Sequence, residues 1–518
     1  MKTFQYSLII CLFILISVLI VSPLAMDDAF IIFNYARNLL EGNGLAYDSR
    51  GIPSEGVTSL LYTFVFAIFN FFIDNPFNVT FVLNIISAII TAFLVENIFN
   101  NLLKKENVIM FFGLPLFIFI LDTNLKGLMG LGLESIFSIM FFVALIKFYL
   151  DNILYGKSII YAFIISFLLF NIRPESAFII LPIHIHFLFI ENKTKISKKV
   201  ISYIFLLISV GIFLYSKYLY FNDIFPTSYY RKVTNPSASI FQGIREILSF
   251  IKIYGILLII IFYNLIVNRS KKYLNTILVL IFITVIFQLL FFSIANPIIR
   301  IHFRFEIYTI YMGYFCLILT LAQWEKLNTK WTNTIIALTL LLALGYDAFN
   351  EPQKGKSYMD YAQEDYNNHP YIKIGKFLTE KLGNNRPTLM MPDAGAVPYI
   401  TRYNFIDFNG LSEPYIAKLF KEKEDKVEKL ITYLDNQKID LFIGPYRNNG
   451  LFYSPAHGCL SHDEWIIFSN EYLKKKYTLH KRIKVKGFPY DLVFYVNNES
   501  EMIKELIQSV KSLDEIKF

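Results

Sequence analysis

Two adjacent carboxylates, Asp27 and Asp28, stand where an apolar run, Phe4–Ala25, ends; the run contains no charged residue. Charge beside a hydrocarbon layer is costly, and paired like charge more so, which makes an idle acid pair at this place a poor explanation. A carboxylate held there can take a proton from a reacting hydroxyl, and two can share a divalent ion. One acid could instead cap a helix starting at Ala29 and complement its dipole; that reading uses one carboxylate and leaves the other unexplained.

Cations recur near the ends of other apolar runs. Arg231 and Lys232 close the stretch Pro226-Thr227-Ser228-Tyr229-Tyr230-Arg231-Lys232, and Arg300, His302 and Arg304 form a second cluster just ahead of an apolar segment. The planar fork of arginine can bond two phosphate oxygens, so both clusters are candidates for a phosphate group. Snorkelling of long basic side chains at a membrane interface explains them equally well.

The elements that must position these residues are membrane helices. Hydrophobic residues make up 55% of the 518, and the mean hydropathy is +0.46, well above a soluble globular chain. Hydropathy predicts eleven spans: Phe4–Ala25, Asn78–Leu102, Val108–Leu121, Leu133–Leu150, Ser158–Phe170, Ala177–Ile190, Val200–Phe221, Ile251–Val267, Tyr273–Ala295, Phe305–Leu321 and Thr332–Tyr346. The stretch Leu60–Ile73 is short for a crossing and reads as interfacial or re-entrant. With this parity every inside loop is basic (Lys104/Lys105, Lys157, Lys193–Lys199, Arg269–Lys272, Lys326/Lys330), as the positive-inside rule asks. The N-terminus then faces the cytoplasm. Asp27–Glu55, Lys126–Glu134, Arg173–Glu175, Asn222–Arg245, Asn296–Arg304 and everything after Asp347 face outward. The formal charge of +8 follows from loop topology and gives no sign of nucleic-acid binding.

The expected division is a membrane domain, residues 1–348, whose first external loop spans 26–56, followed by an α/β domain over 349–518. In that loop Ala29–Leu40 reads as an amphipathic helix. Asn34, Arg37, Asn38 and Glu41 form one polar stripe, which predicts a helix lying along the membrane surface. Gly42-Asn43-Gly44 ends it. In the tail Tyr371–Leu382 and Lys426–Leu434 read as helices, and Thr388–Met391, Phe405–Phe408, Asp440–Ile443 and Asp491–Val496 as strands, an alternation that suggests a compact α/β fold.

Cofactor signals are weak. Gly127-Leu128-Met129-Gly130-Leu131-Gly132 precedes a span and lacks the strand–turn–helix context of a nucleotide loop. His184 and His186 fall on different helix faces, and His457, Cys459, His462 and Asp463 fit no zinc spacing. Cys11, Cys316 and Cys459 give no disulfide framework. No cofactor is expected, a divalent ion shared by Asp27 and Asp28 being the one metal reading that fits the residues.

Asp27-Asp28-Ala29-Phe30-Ile31, Tyr35-Ala36-Arg37-Asn38-Leu39, Gly42-Asn43-Gly44-Leu45 and Glu55-Gly56-Val57-Thr58-Ser59 together resemble the first external loop of the arabinofuranosyltransferase-like branch of the GT-C glycosyltransferases. That branch includes mycobacterial cell-wall enzymes, and the wider superfamily includes protein O-mannosyltransferases and lipid A aminoarabinose transferases. Gly132-Leu133-Glu134, Arg173-Pro174-Glu175, Asp393-Ala394-Gly395 and Ile406-Asp407-Phe408-Asn409-Gly410-Leu411 follow in the family's order. The chain departs from the family at Val57, Leu60 and Tyr62, where an aromatic, a proline and a tryptophan are usual.

The resemblance implies a GT-C fold, a polytopic α-helical membrane protein with a C-terminal α/β soluble domain, in the plasma (inner) membrane. It implies transfer of a sugar from a polyprenyl-phosphate donor to a glycan, lipid or protein acceptor on the outer face, by inverting single displacement. Asp27 matches the acid that opens the superfamily motif and is the expected general base. Asp28 would orient the acceptor, raise its neighbour's pKa or cap the helix. Arg231, Lys232, Arg300, His302 and Arg304 would hold the donor phosphate. Arg37, Glu55, Thr58, Ser59, Glu134, Arg173 and Glu175 are the candidate substrate contacts; Arg173 and Glu175, close in sequence at a membrane edge, also suit a structural ion pair. The rival reading is a transporter or flippase of lipid-linked saccharide. That class places ionisable groups in mid-span and often shows repeated halves, whereas these spans are largely uncharged and show no clear repeat. A non-catalytic scaffold leaves the acid pair unexplained.

Overall fold

The computed structural model describes residues 2–21, 27–48, 50–103, 110–189, 196–232, 236–267, 282, 285–286, 306–324, 370–383, 385–392, 395–422, 424–446, 459–484 and 491–515. The helical part comprises α1 (Lys2–Ile20), α2 (Asp27–Leu40), α3 (Leu60–Asn70), α4 (Pro76–Leu103), α5 (Met110–Leu121), α6 (Thr123–Gly130), α7 (Ser135–Tyr155), α8 (Ile160–Ile172), α9 (Ala177–Phe189), α10 (Ile196–Phe221), α11 (Thr227–Lys232), α12 (Pro236–Val267) and α13 (Ile307–Trp324). Five of these helices are long and apolar enough to cross a membrane: Thr3–Ile20, Pro76–Leu103, Ser135–Tyr155, Ile196–Phe221 and Ile247–Val267. They become six if Phe111–Leu121 and Thr123–Gly130, bent by 75°, count as one broken span. In lipid a helix satisfies its own backbone, which is why apolar runs of this length fold this way. Of the span windows, α7's is 78% buried and α10's 11%, so α7 is central and α10 peripheral.

The five coincide with predicted spans, and α8, α9 and α13 are shorter apolar helices at the places of three others. The predicted spans Tyr273–Ala295 and Thr332–Tyr346, and the boundary near residue 348, lie outside the described residues or almost so. Leu60–Asn70 is a short helix, too short to cross. Two expectations are corrected here. Val108–Leu121 is no free-standing span but one limb of the bent pair. Residues 126–130 are helical rather than loop, because Asp122 accepts from the backbone N–H groups of Asn124 and Leu125 and so starts α6, and residues 131–134 bend into α7. The spans also hold more polar groups than hydropathy suggested. Glu96 of α4 accepts from the Tyr6 hydroxyl, and Asp151 pairs with Lys147 and Lys157 at the end of α7.

The described C-terminal part combines helices with a five-stranded sheet. Its helices are α14 (Pro370–Leu382), α15 (Ala396–Thr401), α16 (Pro414–Leu419), α17 (Lys426–Asp435), α18 (His462–Phe468) and α19 (Ile503–Lys511). Its strands are β1 (Leu389–Met391), β2 (Phe405–Asp407), β3 (Leu441–Tyr446), β4 (Tyr477–Lys484) and β5 (Asp491–Asn497), in the order β2-β1-β3-β5-β4. β1 runs parallel to β2 and β3, while β5 is antiparallel to β3 and β4. β1 and β2 are buried at every position, as parallel strands covered on both faces are. The chain leaves β1 towards β2 on one side and returns to β3 on the other. The carboxyl end of β1 is therefore a topological switch point, where open α/β sheets bring groups together.

Candidate active site

Both acids sit in the first turn of α2. The helix starts at Asp27, two residues before the expected start, so neither acid is the residue just ahead of a helix beginning at Ala29, and capping there does not explain the pair. In the first turn their charge complements the helix dipole. Asp27 and Asp28 are half-buried.

The helix is enclosed by protein. Ala29 to Ala36 are all buried, and so is Asn38. Below it, Phe33 stacks on Phe66 of α3 at 5.0 Å and meets the Phe77 ring edge-on at 5.2 Å. Gly132 (φ +80) presses against the same face, and a Cβ there would lie 2.7 Å from the Ala29 Cβ. Above it lies the C-terminal part. The backbone N–H of Ala396, first residue of α15, donates to Asp27 Oδ1 at 2.8 Å. Gly395 approaches so closely that a Cβ would fall 2.1 Å from the Asp27 carboxyl carbon. Arg37 donates to the Tyr399 carbonyl at 2.6 Å and to Asn34 Oδ1 at 2.6 Å, and its guanidinium lies 4.7 Å from the Tyr399 ring centre. Of the polar stripe read from the sequence, Arg37 seats the α/β part, Asn38 donates to the Ala46 carbonyl within the first loop, and Glu41 is exposed and pairs with Arg402. The backbone N–H of Phe405 donates to Asp48, and Arg50 bonds Asp48 (2.7 Å), Glu413 (3.1 Å), the Phe405 carbonyl (2.8 Å) and Gln437 (3.1 Å).

The rest of the first loop closes on this core. Tyr35 shares a hydrogen bond with Ser54 at 2.7 Å, and its hydroxyl accepts from the Gly56 N–H at 2.9 Å. The Tyr47 phenol is buried, and its pKa is pushed up by that burial first and then by the Asp27 and Asp407 carboxylates. Tyr47 therefore stands within electrostatic reach of the expected base, a relation no motif announced. Glu55 is buried and pairs with Lys217 at 2.8 Å; burial raises its pKa to about 7 against the opposing pull of Lys217. Thr58 is half-buried, and Ser59 is buried ahead of α3.

Glu134, Arg173 and Glu175 do come together. The Arg173 Nε lies 3.2 Å from Glu134 Oε1 and 3.2 Å from Glu175 Oε1. The guanidinium is fully enclosed, and Glu306 and Tyr308 also act on it. This joins the start of α7 to the α8–α9 corner, the structural pairing the sequence favoured. Asp122 was missed: its buried carboxylate accepts from the Tyr314 hydroxyl at 2.7 Å and the Tyr254 hydroxyl at 3.0 Å, and no motif marks it.

Of the expected phosphate ligands, Arg231 and Lys232 end α11, and their side chains lie outside the described part; Arg300, His302 and Arg304 lie outside the described residues entirely. The α11 segment is fixed to both the first loop and the C-terminal part. Thr227 donates to the Glu55 carbonyl from its N–H (3.0 Å) and from its hydroxyl (2.9 Å), and the hydroxyl also reaches the Leu411 carbonyl. Lys418 pairs with Asp223 at 3.0 Å, and Lys421 sits 4.5 Å from the Tyr230 ring centre. Among the described residues no group of three or more His, Cys, Asp or Glu side chains could hold a metal ion. Asp393, Ala394 and His457 lie outside the described residues. His462 and Asp463 start α18 under a Ser461–Glu464 capping box. Residues Leu128, Met129 and Leu131 of the glycine-rich stretch are buried in and after α6, packing rather than cradling a ligand.

A family model described as a domain of unknown function (DUF8728) matches residues 358–495, most of the C-terminal part. No curated protein matches the chain by sequence. In structure the chain is similar to ArnT from Cupriavidus metallidurans bound to undecaprenyl phosphate, with a TM-score of 0.54 at 11% identity, covering 96% of this chain and 98% of that one. It is similar as well to ArnT from the same organism in the apo state, with a TM-score of 0.56 at 10% identity, covering 95% and 98%. At this identity the likeness is one of fold, and it runs nearly the whole length of both chains.

Proposed function

We propose that this chain is a membrane glycosyltransferase of the GT-C class, moving a sugar from a polyprenyl-phosphate donor to a glycan, lipid or protein acceptor on the outer face of the membrane. The observation that carries the reading is the acid pair on the enclosed helix α2, seated between an ArnT-like membrane part and an α/β roof. A donor delivered within the bilayer suits a site at a helix that opens beside a span. ArnT, whose fold this chain shares, has been solved with undecaprenyl phosphate bound.

In the proposed step an acceptor hydroxyl attacks the anomeric carbon while Asp27 takes its proton. The new C–O bond forms as the bond from that carbon to the phosphate oxygen breaks, and the polyprenyl phosphate leaves with the electron pair. The anomeric centre inverts. General-base help of this kind contributes about 10²–10⁴ in rate. Asp28 would orient the acceptor, and the sequence candidates Arg231, Lys232, Arg300, His302 and Arg304 would supply the positive charge that steadies the growing phosphate charge.

The test is polyprenyl phosphate release by purified protein in detergent, with a panel of lipid-linked sugars and with or without candidate acceptors. Acceptor-dependent release by the wild type and its loss in Asp27→Asn support the reading. Movement of intact donor across proteoliposome membranes with no release would identify a transporter instead.

A further inference from the structure

The carboxyl end of β1 places Gly395 and Ala396 on Asp27. The nearest approach is backbone to carboxylate, with no side chain intervening: the Ala396 N–H meets Asp27 Oδ1 at 2.8 Å. It exists because residue 395 is glycine. Any Cβ there would sit 2.1 Å from the Asp27 Cγ and Oδ1 and 2.3 Å from its backbone oxygen, far inside van der Waals distance. Its φ of −110° lies outside the left-handed region that favours glycine, so the close approach is the demand the structure shows for glycine at this position. Nor does this bond stand alone. Arg37 to the Tyr399 carbonyl, Phe30 and Phe33 against the Tyr399 ring, and the Asp48–Arg50–Glu413 network hold the same two parts together on either side of it.

We propose that the Ala396 N–H is a positioning group of the transfer reaction: the C-terminal α/β part, through Gly395 and Ala396, fixes the rotation of the Asp27 carboxylate and so completes the active centre. A carboxylate on one rotatable bond can aim its lone pairs in many directions. A charge-assisted hydrogen bond to one oxygen selects one and leaves the geometry of the other defined. The roof is then a working component of the site, and its docking is a condition of turnover rather than a cover over it. This rests on the reading of Asp27 as the base.

The experiment is a double-mutant cycle on the full-length protein, read as polyprenyl phosphate release from a lipid-linked sugar. Gly395→Ala displaces the carboxylate by steric overlap. Ala396→Pro replaces the donor N–H with a ring methylene that crowds Asp27 Oδ1, at the first position of a helix, where proline is tolerated. Each is expected to lower kcat by about 10- to 100-fold with the donor KM within about twofold, because neither substitution alters a proposed phosphate ligand. In the Asp27→Asn background neither substitution should lower the residual rate further, since their effect passes through that carboxylate. Gly211→Ala, where a Cβ meets nothing within 4 Å, is the neutral control. Wild-type kcat in both variants, or equal losses with and without the Asp27 carboxylate, overturns the proposal while leaving the base assignment standing. Wild-type turnover by Asp27→Asn alone overturns the base assignment and this inference with it. Should Gly395→Ala fail to fold, Ala396→Pro carries the same cycle.

Discussion

The two faces of α2 are built from different materials. Underneath, Ala29 and Phe33 meet Gly132, Phe66 and Phe77 in a dry apolar layer. On top, Asp27 and Arg37 of α2, with Glu41, Asp48 and Arg50 of the loop that follows, meet Ala396, Tyr399, Arg402, Phe405 and Glu413 through hydrogen bonds and ion pairs, beside contacts of Phe30 and Phe33 with the Tyr399 ring. Apolar packing of this kind is close to all-or-none, because atoms drawn apart by a fraction of an ångström forfeit much of their attraction. A polar interface within a chain resembles those that domains make and release. The acid pair is thus anchored to the membrane part and engaged by the α/β part.

That contrast is breakable in a graded way. Gly132→Ala should do the most damage. The new Cβ would lie 2.7 Å from Ala29 at a residue with φ +80, which destabilises by about 3–4 kcal/mol through strain and overpacking; it reads out as a large fall of the thermal midpoint in detergent. Arg50→Ala comes next. It leaves the buried carboxylates of Asp48 and Glu413 without their cation, at a cost of about 2–3 kcal/mol, discounted for partial exposure. Hydrogen exchange should rise in β2 and α16 while α4 and α7 keep their protection. A loss of protection in α4 and α7 as well would mean that the two faces are one unit.

Glu55 sharpens the comparison through pH. Burial raises its pKa from 4.5 to about 7, so the folded state holds this proton more tightly than the unfolded chain. Stability from this group is full below pH 4.5 and falls as pH rises to about 7. The wild type should lose about 2 kcal/mol more than Glu55→Gln between those limits, measured as the difference in pH slope of the two unfolding midpoints. Arg402→Ala should do least. Its pair with Glu41 is solvent-exposed on both sides, and such pairs are worth about 0–1 kcal/mol; an unchanged midpoint and unchanged turnover are expected.

The membrane part was legible because its signal is composition over long windows. A run such as Pro76–Leu103 has few alternatives to a helix that satisfies its own backbone in lipid. The tail was legible in part. Its helix over 371–382 and strands at 389–391, 405–407, 441–446 and 491–497 follow apolar runs bounded by turns, while β4 (Tyr477–Lys484) escaped because its sequence is dense in lysine, arginine and histidine and it edges the sheet. For α2 the pattern of apolar and polar positions was right, but it could not show what lies opposite the polar positions. A polar stripe states only that something polar lies opposite, and here that is Tyr399 and its neighbours rather than water. The bend at Asp122 hid for a similar reason: a capping carboxylate inside an apolar run looks like a loop when read by charge alone. Gly395 had a motif but no visible purpose, since its constraint comes from Asp27, at the far end of the sequence.

The central claim is that α2 carries its carboxylates on the outer surface, and side-specific labelling tests it most directly. Asn43, exposed in the turn just after α2, is changed to cysteine, and intact cells or sealed right-side-out vesicles are treated with a membrane-impermeant maleimide, the parent protein setting the background. The account predicts labelling without permeabilisation. Labelling that needs the membrane to be opened first would put the acid pair on the cytosolic side and contradict it.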